Sequence, residues 1–156
     1  MADKVKVGLI GCGNISPQYF KGTRSFQVLD LVACADLDVD LAKSRSSEFE
    51  VLKGCSVDDL LADPDIEIVI NLTVPKVHAL VNEQILESGK HAHTEKPFAV
   101  EKEDGKKVLD LAAEKGLRTG GAPDTFLGGG IQTCEQLRVV AVVTVEGAGA
   151  LDFNAG

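Results

Sequence analysis

Short apolar runs alternate along the 156-residue chain with segments whose apolar positions recur every three or four residues. Runs rich in Val, Ile and Leu are typical of strands buried on both faces of a parallel sheet. The wider spacing is typical of amphipathic helices packed on such a sheet. The predicted strands are Val5–Ile10, Val28–Ala35, Ile66–Leu72 and His91–Thr94. The predicted helices are Asn14–Gly22, Val39–Phe49, a segment from Ser56 to Asp63, a segment from Pro75 to Gly89, and about Val100–Lys115.

Turn and capping residues agree with these boundaries. The Ser56 hydroxyl is placed to cap the N–H three residues on, and Asp59 to reach back to the Ser56 N–H. Pro75 suits a helix start, whereas Gly89 and Gly116 suit helix ends. Strands and helices thus alternate with short connections. This pattern predicts an α/β fold, a doubly wound parallel sheet with helices on both faces.

Charge and cysteine spacing narrow the possible partners and the compartment. The net charge of −8 comes without a cluster of Lys and Arg, so nucleic acid is not an expected partner. The apolar run Val139–Val145 is too short to span a bilayer, so a membrane is not expected either. The four cysteines show no CxxC spacing, which favours reduced, buried thiols and a cytoplasmic location.

A glycine-rich loop, Gly11-Cys12-Gly13-Asn14-Ile15-Ser16, follows the first predicted strand. It matches the GxGxxG fingerprint with a small serine in the third position. Gly11 permits a tight turn, and Gly13 lets a pyrophosphate approach the backbone at a helix N-terminus. Asp36 ends the next strand, where the fingerprint expects an acid for the ribose hydroxyls. The expected cofactor contacts are Gly11, Gly13, Asn14, Ile15 and Asp36 of a Rossmann-type domain; the alternative is a strand–helix turn without a ligand.

The residues around Asp36 favour NAD over NADP. Leu37 and Asp38 follow it, with no arginine directly beside it. A 2′-phosphate would therefore meet two carboxylates and no cation, unless Lys43 or Arg45 reaches in from the following helix.

A third loop leaves the sheet after the strand Ile66–Leu72, at the edge where ligands bind in such folds. Thr73 is placed either to bond a ribose or phosphate oxygen or to cap the helix that Pro75 opens. His78 lies on the first turn of that helix. A packing or capping role is slightly favoured for it, and contact with the cofactor is the alternative. Thr73, Pro75 and His78 are therefore included in the predicted cofactor site.

The stretch HAHTEKPF, residues 91–98, concentrates titratable groups at the end of a strand. His91 and His93 share one face of that strand, but a metal site needs three or four ligands and no third is apparent, so no metal is predicted. Taken alone, Glu95 and Lys96 fit an ion pair in a surface turn better than a functional site. The glycine loop upstream favours a functional role for Lys96.

Four pieces of the chain occur together in a known family: VKVGLIGCGNIS, VACADLD, the Thr73-x-Pro75-x-x-His78 junction, and HTEKPFA. Over about residues 4–127 the chain resembles the N-terminal domain of the Gfo/Idh/MocA (glucose–fructose oxidoreductase / inositol dehydrogenase) family. The resemblance implies an NAD(P)-dependent dehydrogenase acting on a sugar, polyol or similar hydroxy compound, and it is compatible with a homo-oligomer. It also implies that Lys96 is catalytic beside the nicotinamide, that Glu95 orients or pairs with it, and that Pro97 follows a cis bond.

The resemblance fades toward the end of the chain. Family members carry a second α/β domain with the substrate pocket and with an Asp and a His that act with the lysine. Here residues 128–156 predict only a helix near Gly128–Leu137 and a strand at Val139–Val145, and no catalytic role is carried over to Asp152. The expected domains are therefore a dinucleotide-binding domain, residues 1–127, and a truncated remnant of the second domain, residues 128–156. Three explanations of the short chain are open: an isolated domain of a longer protein, a shortened or remodelled gene, and a natural stand-alone module.

Three functions remain open at this point. The chain is the cofactor domain of an oxidoreductase, a non-catalytic dinucleotide-binding module, or a subunit that another chain completes.

Overall fold

A computed structural model describes residues 4–122 and Thr133, and residues 4–122 lie within one compact unit. Six parallel strands form a single sheet in the order β3-β2-β1-β4-β5-β6. The strands are β1 (Val5–Ile10), β2 (Leu29–Ala35), β3 (Lys53–Cys55), β4 (Ile68–Asn71), β5 (His91–Glu95) and β6 (Thr119–Ala122). The helices are α1 (Ser16–Arg24), α2 (Val39–Glu48), α3 (Val57–Leu61), α4 (His78–Glu87), which a 3₁₀ turn (Pro75–Val77) precedes, and α5 (Lys102–Glu114). The predicted doubly wound parallel sheet is confirmed.

The core lies on both faces of the sheet because neighbouring strand residues point to opposite sides. On one face, Ile10 and Val69 pack with apolar residues of α3, α4 and α5. On the other, Leu9 and Ile70 pack with Phe20 of α1 and with α2. Burying each large aliphatic side chain contributes roughly 1.5–3 kcal/mol, so the strands predicted from apolar runs also hold the sheet together.

The edge strand β3 was not predicted. It is only three residues long and has a glycine at its centre, so it shows neither an apolar run nor alternation. Gly54 is there because the strand passes directly over α2: a Cβ on Gly54 would lie 2.6 Å from the Ala42 carbonyl oxygen. A glycine required by close packing thus concealed a strand from its own sequence pattern.

The strand order reverses direction at β1, which pairs with β2 on one side and β4 on the other. Ile10 lies opposite both Ala35 and Asn71, so the three strands end at one edge. Connections leaving this edge in opposite directions open a crevice, the usual ligand position of doubly wound folds.

The thiols of Cys12, Cys34 and Cys55 are buried and free, as the cysteine spacing predicts. No helix within the described residues is long and apolar enough to cross a membrane. The predicted helix near Gly128–Leu137, the predicted strand Val139–Val145 and the boundary at residue 127 lie outside the described residues.

Candidate dinucleotide-binding site

The glycine loop is shaped by a close approach to the next strand connection. Gly11 has φ +101°, and a Cβ there would lie 2.7 Å from the Leu72 carbonyl carbon, so only glycine fits. At Gly13 no atom lies within 4 Å of the equivalent point, which leaves the backbone open to a ligand. No side chain caps the N-terminus of α1, so the positive end of its dipole faces this opening.

Ser16 closes the loop from within. It is fully buried, and its hydroxyl donates to the Gly13 carbonyl oxygen at 2.8 Å. A larger side chain would have no space there, which agrees with the interpretation of Ser16 as the small third residue of the fingerprint.

Asp36 is tied to the glycine loop by its carboxylate. Oδ2 accepts from the Cys12 N–H at 2.7 Å, and Oδ1 accepts from the Asp38 N–H at 3.0 Å. A carboxylate has about four lone-pair positions, so both oxygens retain capacity for ribose hydroxyls. Asp36 therefore shapes the loop as well as facing the crevice.

Arg45 of α2 does reach toward this region. Its Nε donates to the Cys12 carbonyl oxygen at 3.3 Å, and its Nη1 pairs with Glu48 at 2.6 Å. The guanidinium thus contacts the backbone of the glycine loop, and the Glu48 carboxylate partly neutralises its charge. The neighbouring Cys34 thiol, burial and the Asp36 charge raise the pKa of the Cys12 thiol, which donates to the Ala35 carbonyl oxygen at 3.5 Å.

The turn after β4 is organised by the fully buried side chain of Asn71. Its Oδ1 accepts from the Thr73 hydroxyl at 2.7 Å and from the Thr73 N–H at 3.2 Å. Its Nδ2 donates to the His78 carbonyl oxygen at 3.1 Å and to Asn82 Oδ1 at 2.9 Å. Thr73 therefore does not cap the following helix, whose start at Val74 has no side-chain cap, and the helix-cap alternative for Thr73 is wrong. Its contact with a cofactor stays a prediction.

His78 is 1% exposed, and both of its ring nitrogens contact backbone carbonyl oxygens. Nδ1 lies 2.7 Å from the Pro97 oxygen, and Nε2 lies 2.8 Å from the Thr73 oxygen. This agrees with the packed interpretation of His78, and a direct cofactor contact stays a prediction.

The Glu95-Lys96-Pro97 corner follows β5, beside the end of β4. The Lys96–Pro97 bond is cis, as the resemblance implies. Glu95 Oε2 accepts from the Lys96 N–H at 2.8 Å, so the glutamate orients the backbone of Lys96. Its other oxygen accepts from the Tyr19 hydroxyl of α1 at 2.7 Å, while the Lys96 side chain is exposed.

Several predicted site residues meet in one cleft of about 480 Å³ at the β1–β4 crevice. Three chain segments bring Gly11, Gly13, Asp36 and Thr73 to its wall. The remaining walls are largely apolar and come from Leu37, Val57, Val74, Leu80 and neighbouring residues. Glu95 and Lys96 lie outside this cleft, at the end of β5.

Sequence reasoning missed Tyr19, the sole tyrosine, and Asn82. Tyr19 lies 76 positions from Glu95, and Asn82 lies on the buried face of α4. No local pattern marks either residue, because their partners come from distant segments.

His91 and His93, the two histidines of β5, interact with the fold around them. His91 Nδ1 accepts from the Arg118 N–H at 3.0 Å, and burial lowers the pKa of His93. Among the residues that the structure describes, no group of three or more His, Cys, Asp or Glu side chains could hold a metal ion.

A family model described as an oxidoreductase family with an NAD-binding Rossmann fold matches residues 5–122. Inositol 2-dehydrogenase 3 of Saccharopolyspora erythraea is 30% identical over 73% of this chain and 34% of the relative. An inositol 2-dehydrogenase/D-chiro-inositol 3-dehydrogenase of Lacticaseibacillus casei is 31% identical over 71% of this chain and 33% of the relative. The chain thus spans about a third of these curated relatives.

Solved structures show the same likeness. A biliverdin reductase from Synechocystis superposes with a TM-score of 0.76 at 30% identity, over 85% of this chain and 42% of that one. An NAD-binding oxidoreductase from Klebsiella pneumoniae superposes with a TM-score of 0.78 at 21% identity, over 87% of this chain and 38% of that one. At this identity the likeness supports the fold alone. With its glycine loop, Asp36 cleft and match across residues 5–122, the chain belongs to the Gfo/Idh/MocA family of NAD(P)-binding oxidoreductases.

Proposed function

We propose that this chain forms the NAD-binding part of an oxidoreductase that transfers hydride to or from a hydroxyl-bearing carbon of a sugar, polyol or similar compound. The observation that carries the proposal is the cleft in which the open backbone at Gly13 and the Asp36 carboxylate meet. A pyrophosphate fits the first and ribose hydroxyls fit the second. In this placement Asn14 and Ile15 contact the phosphates and Thr73 belongs to the wall on the β4 side, while Pro75 and His78 lie in the turn behind that wall and do not line the cleft.

We propose NAD rather than NADP as the preferred cofactor. Asp36 and Asp58 place two carboxylates at the cleft, where a 2′-phosphate would be repelled. The nearby cation, Arg45, is engaged by Glu48 and by the Cys12 carbonyl oxygen. Several related structures are described with NADP and another with NAD, so the preference rests on these residues of this chain.

Lys96 is the proposed catalytic residue. A bound nicotinamide would supply the redox chemistry, accepting or donating hydride at its ring. The exposed Lys96 ammonium, at the end of β5, would stabilise developing alkoxide charge on the substrate or relay its proton. Glu95 supports this role by fixing the Lys96 N–H, and Tyr19 fixes Glu95 in turn.

The substrate class rests on the relatives. Inositol dehydrogenases and a 1,5-anhydro-D-fructose reductase of Ensifer adhaerens are among them. The chain covers about a third of each, so groups beyond it are needed to complete a substrate pocket. A non-catalytic dinucleotide-binding module and a subunit completed by another chain are the remaining alternatives.

Three further properties are part of the proposal. The buried free thiols support a reducing, cytoplasmic location. The charge of −8 disfavours nucleic acid as a partner. Association into a homo-oligomer is the third.

Titration with NAD, NADP and their reduced forms tests the shared premise, with nicotinamide fluorescence reporting binding of the reduced forms and calorimetry that of the oxidised forms. We expect saturable binding with the NAD forms preferred, and no binding of any form would overturn the proposal. Turnover with a panel of polyols and aldoses then separates an enzyme from a binding module. Activity that appears only when another protein is added identifies a subunit completed in trans.

A further inference from the structure

One imidazole joins the two loops that carry the proposed cofactor and catalytic residues. His78 is buried, with its two ring nitrogens 2.7 and 2.8 Å from the carbonyl oxygens of Pro97 and Thr73. Pro97 directly follows Lys96, and Thr73 lines the dinucleotide cleft. The ring therefore spans the gap between cleft and catalytic corner with two short contacts.

The two contacts of the His78 ring depend on which ring nitrogen carries a hydrogen. A carbonyl oxygen only accepts hydrogen bonds, so each ring nitrogen satisfies its partner only when it carries a hydrogen. A neutral imidazole carries one ring hydrogen and donates to one of the two carbonyls, whereas only the doubly protonated ring donates to both. An apolar side chain of similar size would fill the space without donating to either carbonyl, which separates a bridging role from mere packing.

The bridge is anchored at each end. The Thr73 N–H and hydroxyl are bonded to Asn71, and Asn71 also donates to the backbone oxygen of His78. At the other end, the Lys96 N–H is held by Glu95. The Lys96 backbone is thus restrained by Glu95 before it and by the His78 contact at Pro97 after it.

We propose that His78 is a positioning residue that sets the placement of Lys96 relative to the dinucleotide cleft. The proposal rests on the proposed function, because it gives Lys96 a place beside the bound cofactor. His78 itself needs no contact with substrate or cofactor, since it acts through the Pro97 and Thr73 carbonyls.

The variant His78→Leu tests the bridge without any cofactor. Hydrogen exchange, measured by mass spectrometry, should accelerate in both residues 73–77 and residues 95–98, by roughly tenfold, the effect of losing about one hydrogen bond. His91→Leu is the matched control, because it also removes a histidine contact, to the Arg118 N–H, at the opposite end of β5. That control should leave both segments unchanged.

A second measurement uses the wild-type chain at saturating NADH. Bound dinucleotide should slow acylation of the Lys96 amine roughly tenfold, the effect of about one strong contact to that amine. Lys102 serves as an internal reference. His78→Leu should retain NADH binding within about threefold but lose most of this protection, and His91→Leu should keep it. His78→Gln retains one N–H donor and should recover part of the protection, and it replaces the leucine variant if that one does not fold.

The outcomes separate this inference from the proposed function. Wild-type protein that does not bind NADH contradicts the proposed function, whereas the exchange experiment still decides the bridge. Unchanged exchange in either segment, or full Lys96 protection in His78→Leu, would overturn the inference. The wild-type protein gives an independent check, because a ring N–H in a buried hydrogen bond exchanges slowly enough for NMR detection. Failure to detect a slowly exchanging His78 ring N–H would also overturn it.

Discussion

The glycine loop and the Glu95-Lys96-Pro97 corner lie at the same edge of the sheet but are held in place by different means. Gly11 is fixed by backbone geometry and by contact with the neighbouring strand connection. The Lys96 corner is held by side chains from distant parts of the chain, Tyr19 and His78. Backbone-determined sites tolerate few substitutions but leave a local sequence motif, whereas side-chain-determined sites depend on long-range packing.

The largest effect is expected at Gly11. Gly11→Val forces a side chain into a positive-φ position and against the Leu72 backbone, which should cost about 3 kcal/mol or more of stability and abolish detectable NADH binding. Thermal unfolding and fluorescence titration measure the two effects. Gly13→Ala is the matched control: its Cβ meets no atom, so stability should stay near wild type while NADH binding still weakens. Equal stability losses in both variants would contradict the backbone argument.

The second effect concerns the other region. In any form of the enzyme that turns over, Lys96→Ala should lower kcat by about 10²–10⁴ through loss of proton transfer or charge stabilisation. NADH affinity should change by less than about threefold, because the cleft is lined by other residues. Steady-state kinetics and titration give both values, with Lys102→Ala as the control for an exposed lysine. If both kcat and affinity stay at wild-type values, Lys96 is a surface lysine.

The two regions differ in how much the sequence could reveal. Gly11 and Asp36 were predictable because a backbone constraint and a strand-end acid leave a fixed spacing. The position of β3 was not, since Gly54 removes the apolar signal that marks a strand. The role of Tyr19 was not predictable either, because its distance from Glu95 is set by how α1 packs on the sheet.

Asp36 lies between these extremes, because one side chain both orders the loop and is the proposed partner of the ribose. Asp36→Asn keeps an acceptor for the Cys12 N–H but removes the charge, so NAD affinity should fall about tenfold, the effect of losing a charge-assisted hydrogen bond. NADP affinity should fall less or rise, since one repulsive carboxylate is gone. Competitive titration of NADH and NADPH measures the ratio. Asp38→Asn, which perturbs only the cap of α2, is the control, and an unchanged ratio in Asp36→Asn would mean that the ribose lies elsewhere.

The smallest effect sharpens the comparison at the Lys96 corner. Tyr19→Phe removes the hydroxyl that donates to Glu95 and should cost about 1 kcal/mol of stability, the usual net worth of one hydrogen bond. The Lys96 amide should exchange about fivefold faster, since Glu95 is then less restrained, while NADH affinity stays the same. Combining Tyr19→Phe with Glu95→Gln gives a double-mutant cycle that isolates the contact. If the stability losses of the two single variants simply add, Tyr19 does not act through Glu95. The Lys96 corner would then depend less on long-range side chains than its contacts indicate.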